Sequence, residues 1–170
     1  MGLDMYLTIH QKIHDPYPVS LYSGDDNEGL SVIKSAYVYE YAYWRKANAI
    51  HKFFVDKVAD GVDDCKEVFV PLHYLEDLHY RCHYLILKEE GRLSELGDDN
   101  IPAEPRSCED YLPTCEGFFF GSTAYDEYYW DTIVYTEEKL RKLIKFLYNE
   151  KDKYNNIGGM PYYVYYQASW

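Results

Sequence analysis

Hydrophobic and polar positions alternate cleanly at the start of the chain, with Leu3, Met5, Leu7 and Ile9 on one side and Asp4, Tyr6, Thr8 and His10 on the other. A two-residue period sends successive side chains to opposite faces, so this stretch predicts a half-buried strand. Residues 15–29, DPYPVSLYSGDDNEG, then carry two prolines, two glycines and an acidic cluster, the composition of turns and loops. Alternation resumes over residues 31–43 and predicts a second strand, on which Tyr37, Tyr39, Tyr41 and Tyr43 share one face as a platform of rings. After Trp44 the period becomes helical: Ala47, Ile50, Phe54 and Val58 form one stripe that ends near Asp60 and Gly61. A short strand at Val68–Val70 leads through Pro71 into a second helix, with Leu75, Leu78, Cys82, Leu85 and Ile86 at helical spacing and a stop by Gly91.

Residues 89–116 hold nine acids and three prolines without periodicity, which predicts a long surface loop. GFFFGS reads as a buried strand bracketed by Gly117 and Gly121. TAYDEYYWDTIVY is open between turn, helix and strand. Thr136 then caps a third helix, with Glu137 and Glu138 in its first turn and Leu140, Leu143, Ile144 and Leu147 as its stripe. Asn156, Gly158, Gly159 and Pro161 break the chain before a final strand in YYVYYQASW. Strands at both ends with two or three helices between them predict a single α+β domain over residues 1–170, a mainly antiparallel sheet with helices packed on one face.

Composition narrows the partners. The 170 residues are 47% hydrophobic, enough for a sizeable core, and 21 are tyrosine, a residue suited to half-buried sheets and interfaces. A net charge of -12 sets up a field that repels nucleic acid and anionic membrane, so any anion site has to be local. The sequence shows neither a membrane span nor a signal peptide. Cys65, Cys82, Cys108 and Cys115 are scattered without a CxxC pair, which predicts reduced thiols and a cytosolic protein. His79 and His83 stand four apart on the second helix, a spacing compatible with metal, but HExxH is absent and Arg81 lies between them, so no metal and no cofactor is expected.

The candidate chemistry sits where the second strand gives way to the first helix. Arg45, Asn48 and Lys52 fall at i, i+3 and i+7, on one face and close to a helix N-terminus, directly behind the tyrosines and Trp44. Ring stacking for a base beside Arg and Lys for phosphate describes a nucleotide pocket. The plainer alternative is a solvated helix face whose cations answer the protein's own acids. A second segment, GSTAYDEYYW, offers Ser122 and Thr123 as anion donors after Gly121, with Tyr125 as a ring and Asp126 as a polar reader; its plainer alternative is a turn with packed aromatics. GxxxxGK[ST], GxGxxG, GxSxG and the kinase signatures are absent, and no nucleophile stands out.

MGLDMYL, YWRKANAIHKFF, GFFFGSTAYDEYY and YYVYYQASW together resemble a family of small proteins encoded by bacteriophages and prophages. The resemblance implies a protein made in the cytoplasm of an infected bacterium and implies no reaction. For small accessory phage proteins the class expectation is action against host defences, by sequestering a nucleotide signal or blocking a host protein. The leading expectation is therefore a non-enzymatic binder, a sponge for a small anionic, nucleotide-like ligand. In it Arg45 and Lys52 hold phosphate, Asn48 and Asp126 read polar edges, and Trp44 and Tyr125 stack. Its rivals are an acidic protein-binding inhibitor or DNA mimic with tyrosines in the interface, and a nucleotide hydrolase; a tyrosine-lined sheet face also suits a homo-oligomer.

Overall fold

A computed structural model describes residues 2–12, 36–154 and 161–170. Strand β1 (Asp4–Lys12) is followed by β2 (Ala36–Arg45), helix α1 (Asn48–Lys57), the two-residue strand β3 (Val68–Phe69), α2 (Leu72–Glu89), the single turn α3 (Cys108–Tyr111), α4 (Glu127–Tyr154) and β4 (Tyr162–Ser169). The sheet runs β2–β1–β4–β3 with every neighbour antiparallel, so the fold is α+β. The expected loop over residues 15–29, the start of the second strand at 31–35 and the breakers Asn156 to Gly159 lie outside the described residues.

The alternation in β1 does what it predicts. Leu3, Met5, Leu7 and Ile9 join one buried cluster with Ile50, Phe53 and Phe54 of α1, Leu75, Leu78 and Leu85 of α2, and Leu140, Leu143 and Leu147 of α4. The helices therefore cover one face of the sheet, where each fully buried aliphatic or aromatic side chain contributes roughly 1.5–3 kcal/mol.

Three expectations are corrected. The four-ring platform does not form, because a bulge interrupts β2: Leu7 faces Ala42 and Thr8 faces Glu40, leaving Tyr41 without a partner on β1. One extra residue reverses the facing of everything beyond it. Tyr43 thus shares a face with Tyr6, whereas Tyr39 and Tyr37 share the face of Ile9 and Gln11, and Tyr41 turns its hydroxyl to the Lys139 carbonyl at 2.9 Å. The GFFFGS segment is not a strand, and Phe118 is 83% exposed. Thr136 does not begin a helix; it lies inside α4, whose 28 residues start at Glu127 and whose stripe runs through the buried Tyr129, Ile133, Thr136, Leu140, Leu143 and Leu147. Its hydroxyl donates back to the Thr132 carbonyl at 2.7 Å, the usual way for a mid-helix threonine to satisfy itself. The 89–116 segment carries two 3-10 turns, Leu93–Leu96 and Asp98–Asn100, and α3 is fixed by a capping box between Ser107 and Asp110.

Helices α2 and α4 meet at a small titratable cluster. His79 and His83 stack at 5.7 Å, and His79 Nε2 and His83 Nδ1 lie 3.2 and 3.4 Å from the same Glu137 oxygen, which Arg141 approaches at 3.6 Å. Burial lowers the His79 pKa from its ordinary value, against the opposing pull of Glu137. A histidine whose folded pKa is depressed favours the fold while neutral, so its contribution is complete above about pH 6.5 and falls as acid protonates the unfolded chain preferentially. The urea midpoint is accordingly expected to drop between pH 7 and pH 5, and His79→Gln to flatten that part of the profile.

Candidate functional site

The strand register gathers three chain segments at one end of the sheet. Asp4 on β1 stands opposite Arg45 of β2 on one side and Ser169 of β4 on the other, so Gly2, Lys46 and Trp170 lie just beyond the same edge. Residues 117–121 close over it: the Lys46 amide donates to the Leu3 carbonyl at 2.7 Å, and the Leu3 amide to the Phe119 carbonyl at 3.4 Å. The segment is a tight turn because Phe120 folds back into the core, its amide bonded to the Gly117 carbonyl at 3.1 Å. A Cβ on Gly117 would fall 2.3 Å from the Phe120 ring, and Gly121 has φ +91 with Lys46 against it, so both bracketing glycines are required by space or conformation. Anchoring Phe120 turns Phe118 and Phe119 outward, their rings 4.2 Å apart.

Beside this turn Tyr43, Trp44, Arg45, Tyr128, Asp131, Thr132 and Tyr135 line an open recess of about 320 Å³. The Arg45 side chain is 61% exposed, and the carboxylate it approaches is Asp4, 4.0 Å from its Nε. Tyr128 donates to the Arg45 carbonyl, and Tyr43 to Asp4 Oδ1. The Asp4 hydrogen bond raises the Tyr43 pKa, and burial raises that of Tyr128 against the opposing influence of Arg45, so both phenols stay protonated at neutral pH. Lys46 is exposed beside them.

The residues singled out from the sequence are distributed differently. Trp44 is 3% exposed, edge-on to Tyr135 at 6.1 Å and bonded through Nε1 to Thr136 at 2.9 Å; it is a core residue that also forms part of the floor of the Arg45 recess. Asn48 is buried and fully used: Nδ2 donates to the Phe120 and Ser122 carbonyls at 3.2 and 2.8 Å, and Oδ1 accepts the Cys115 amide at 3.3 Å. Lys52 is bound to Asp56 at 2.9 Å, which raises its pKa, and it lines a separate recess of about 190 Å³ with Lys57, Arg81 and Asp110. There the plainer reading of the helix face applies, since Arg81 is itself held by Asp77 at 2.9 Å and by the Tyr111 carbonyl at 2.9 Å.

In the second segment, Ser122 Oγ accepts from the Ala124 amide at 3.1 Å, and the Thr123 carbonyl accepts from Thr114 at 2.9 Å. Tyr125 packs edge-on to Tyr129 at 4.9 Å, and Asp126 accepts the Tyr129 amide at 3.1 Å as the cap of α4, not as a reader of a ligand. Asn48, Ser122 and Asp126 do come together, but around a crevice of about 20 Å³, room for roughly one water. The two segments meet as the sequence suggested, and the contact is spent on holding the turn.

Sequence reasoning noted Lys46 in the basic cluster with Arg45 and Lys52 but gave it no role, and it assigned none to Phe118, Phe119 or Trp170. It also passed over His51, a histidine within the apolar stripe of α1 and therefore a residue needing buried partners. All four cysteines are free thiols, and burial pushes those of Cys82, Cys108 and Cys115 up, so these three are not activated nucleophiles. Among the described residues no helix is long and apolar enough to cross a membrane. Compared with known proteins, the chain matches no protein-family model, no curated protein and no solved structure.

Proposed function

We propose that this chain is a non-enzymatic binder of a small anionic, ring-bearing ligand of the nucleotide class, held at the sheet end where Arg45 and Lys46 stand side by side. One observation carries the reading. In a molecule of net charge -12, Arg45 shares an open recess with Tyr43 and Tyr128, which are 41% and 50% exposed, and Lys46 stands exposed next to it, against Gly121 of the turn that carries the exposed Phe118 and Phe119. Exposed apolar rings gathered in one place mark a contact surface, and a guanidinium offers the fork that phosphate or carboxylate accepts in pairs. Phage kinship would make the protein a sponge for a host-defence signal, acting in the host cytoplasm.

The test is a thermal-shift panel of ATP, ADP-ribose and a cyclic dinucleotide. A ligand at about 100 times its Kd adds about 2.7 kcal/mol, which for a domain of this size is a rise of roughly 5–10 °C. Arg45→Ala is expected to abolish the rise, and chromatography to return the ligand intact; recovered hydrolysis products would make the protein a hydrolase instead. The 83% exposure of Phe118 favours a second reading, a protein-binding inhibitor whose hot spot is the aromatic turn. A flat panel together with Phe118-dependent binding to a purified host protein would select it.

A further inference from the structure

A sheet edge presents unpaired amide and carbonyl groups, and proteins blunt such edges by shortening, covering, bulging or charging them. This sheet has two edges, β3 and β2. Strand β3 is blunted by its length of two residues. The second half of β2 is covered by α4: the Tyr43 amide donates to the Tyr135 hydroxyl and Lys139 Nζ to the Tyr41 carbonyl, both at 3.4 Å, and the Tyr41 hydroxyl donates to the Lys139 carbonyl. The bulge at Tyr41 separates this covered half from residues 36–40, AYVYE, which hold no proline and no lysine and whose single charge is Glu40. Among the described residues no strand pairs with the outer side of that segment. Tyr37, Val38 and Tyr39 are 59%, 58% and 49% exposed, so side chains on both faces of the strand are open along with its edge. A strand packed on a core hides alternate residues, and three large apolar neighbours exposed in a row mark a contact surface.

We infer that residues 36–40 of β2 are a strand-addition surface whose occupant is the same segment of a second copy of this chain, paired antiparallel about a two-fold axis at Val38. Charge selects this occupant. Two molecules of net charge -12 repel one another, so they associate only where charge is nearly absent, and AYVYE carries Glu40 alone. In a register centred on Val38 that glutamate stands across from position 36, an alanine, and not across from its own counterpart, so the pairing sets no like charges opposite each other. The same register sets Tyr37 across from Tyr39 of the second copy, twice, and residues opposite each other in an antiparallel pair share a face. The Tyr37 and Tyr39 rings of one chain lie 6.4 Å apart, so four tyrosines gather on one side of the joined sheet while two Val38 side chains meet on the other. An axis at Tyr39 fails, because Tyr37 then needs the edge at Tyr41 that α4 occupies. Five residue pairs bury less than the roughly 1,200 Å² of a standard interface, so the dimer is weak and depends on concentration. This inference is independent of the anion site, since Arg45 closes the opposite end of β2.

Sedimentation equilibrium of the full chain from about 10 µM to about 1 mM, a range that spans weak association, tests this. The wild type is expected to pass from monomer to dimer as concentration rises. Val38→Lys and Val38→Glu each set two like charges face to face across the axis, and each is expected to weaken the dimer at least about tenfold. Position 38 is exposed, so both variants are expected to keep the wild-type urea midpoint. An equimolar mixture of the two variants is expected to restore the dimer, because opposite charges then meet at the axis. A wild type that stays monomeric throughout overturns the inference. A dimer that neither substitution weakens places the contact elsewhere and overturns it as well. Loss in both variants without recovery in the mixture overturns the axis at Val38, and the self-pairing with it.

Discussion

Trp44→Ala is expected to destabilise the protein by about 3–5 kcal/mol, the range for truncating a large buried aromatic, and to lower Tm by roughly 6–20 °C. The indole is enclosed between Phe54 and Tyr135, and its Nε1–H satisfies Thr136, a hydroxyl with no exposure of its own. Removing the ring leaves a cavity between β2, α1 and α4 where three elements meet. Trp44→Phe keeps most of the volume, and Thr136 keeps its bond to the Thr132 carbonyl, so the cost there is smaller. Urea denaturation distinguishes the two variants. A Trp44→Ala protein with wild-type stability and weakened ligand binding would contradict the buried placement.

Asn48→Ala is expected to cost roughly 3 kcal/mol or more, because it strips partners from three backbone groups at once and each buried unsatisfied group costs about 1–3 kcal/mol. Those groups are the Cys115 amide and the Phe120 and Ser122 carbonyls, within and on either side of the 117–121 turn that closes over the sheet end. Asn48→Asp does not rescue: it keeps an acceptor for Cys115 but turns a second oxygen toward two carbonyls. Amide exchange should show residues 114–122 losing protection ahead of the helices in both variants. Uniform loss of protection would mean that Asn48 supports the whole fold and not this segment in particular.

These two residues show where sequence reading reached its limit. The helical stripes of α1 and α2 and the alternation of β1 are local periods, and they were legible because burial on one face imposes them directly. The bulge at Tyr41 was not, since the two-residue period assumes an unbroken pleat and nothing in YVYEYAY marks where the extra residue falls. The early start of α4 was present in the spacing of Tyr129, Ile133 and Thr136, hidden by reading Thr136 as a cap. Asn48 looked like part of a solvated cationic face because its partners lie 67 to 74 residues away along the chain, a distance no local pattern spans. The shared helix face of Arg45, Asn48 and Lys52 does not form, because Arg45 ends β2 and α1 begins only at Asn48, whereas the Lys52–Asp56 pair is an i, i+4 contact that the helical spacing already contained. Three phenylalanines between glycines fitted a strand and a turn equally, and the inward anchoring of Phe120 decided between them.

The most direct measurement is a calorimetric titration with ATP, comparing the wild type with the Arg45→Ala/Lys46→Ala double variant. Both side chains are exposed and neither supports the core, so the double variant is expected to keep the wild-type urea midpoint. The expected result is ATP binding by the wild type, weakening as salt rises, and its loss in the double variant. Undiminished binding in a stably folded double variant, or no ATP binding by the wild type, would contradict an anion site at this end of the sheet.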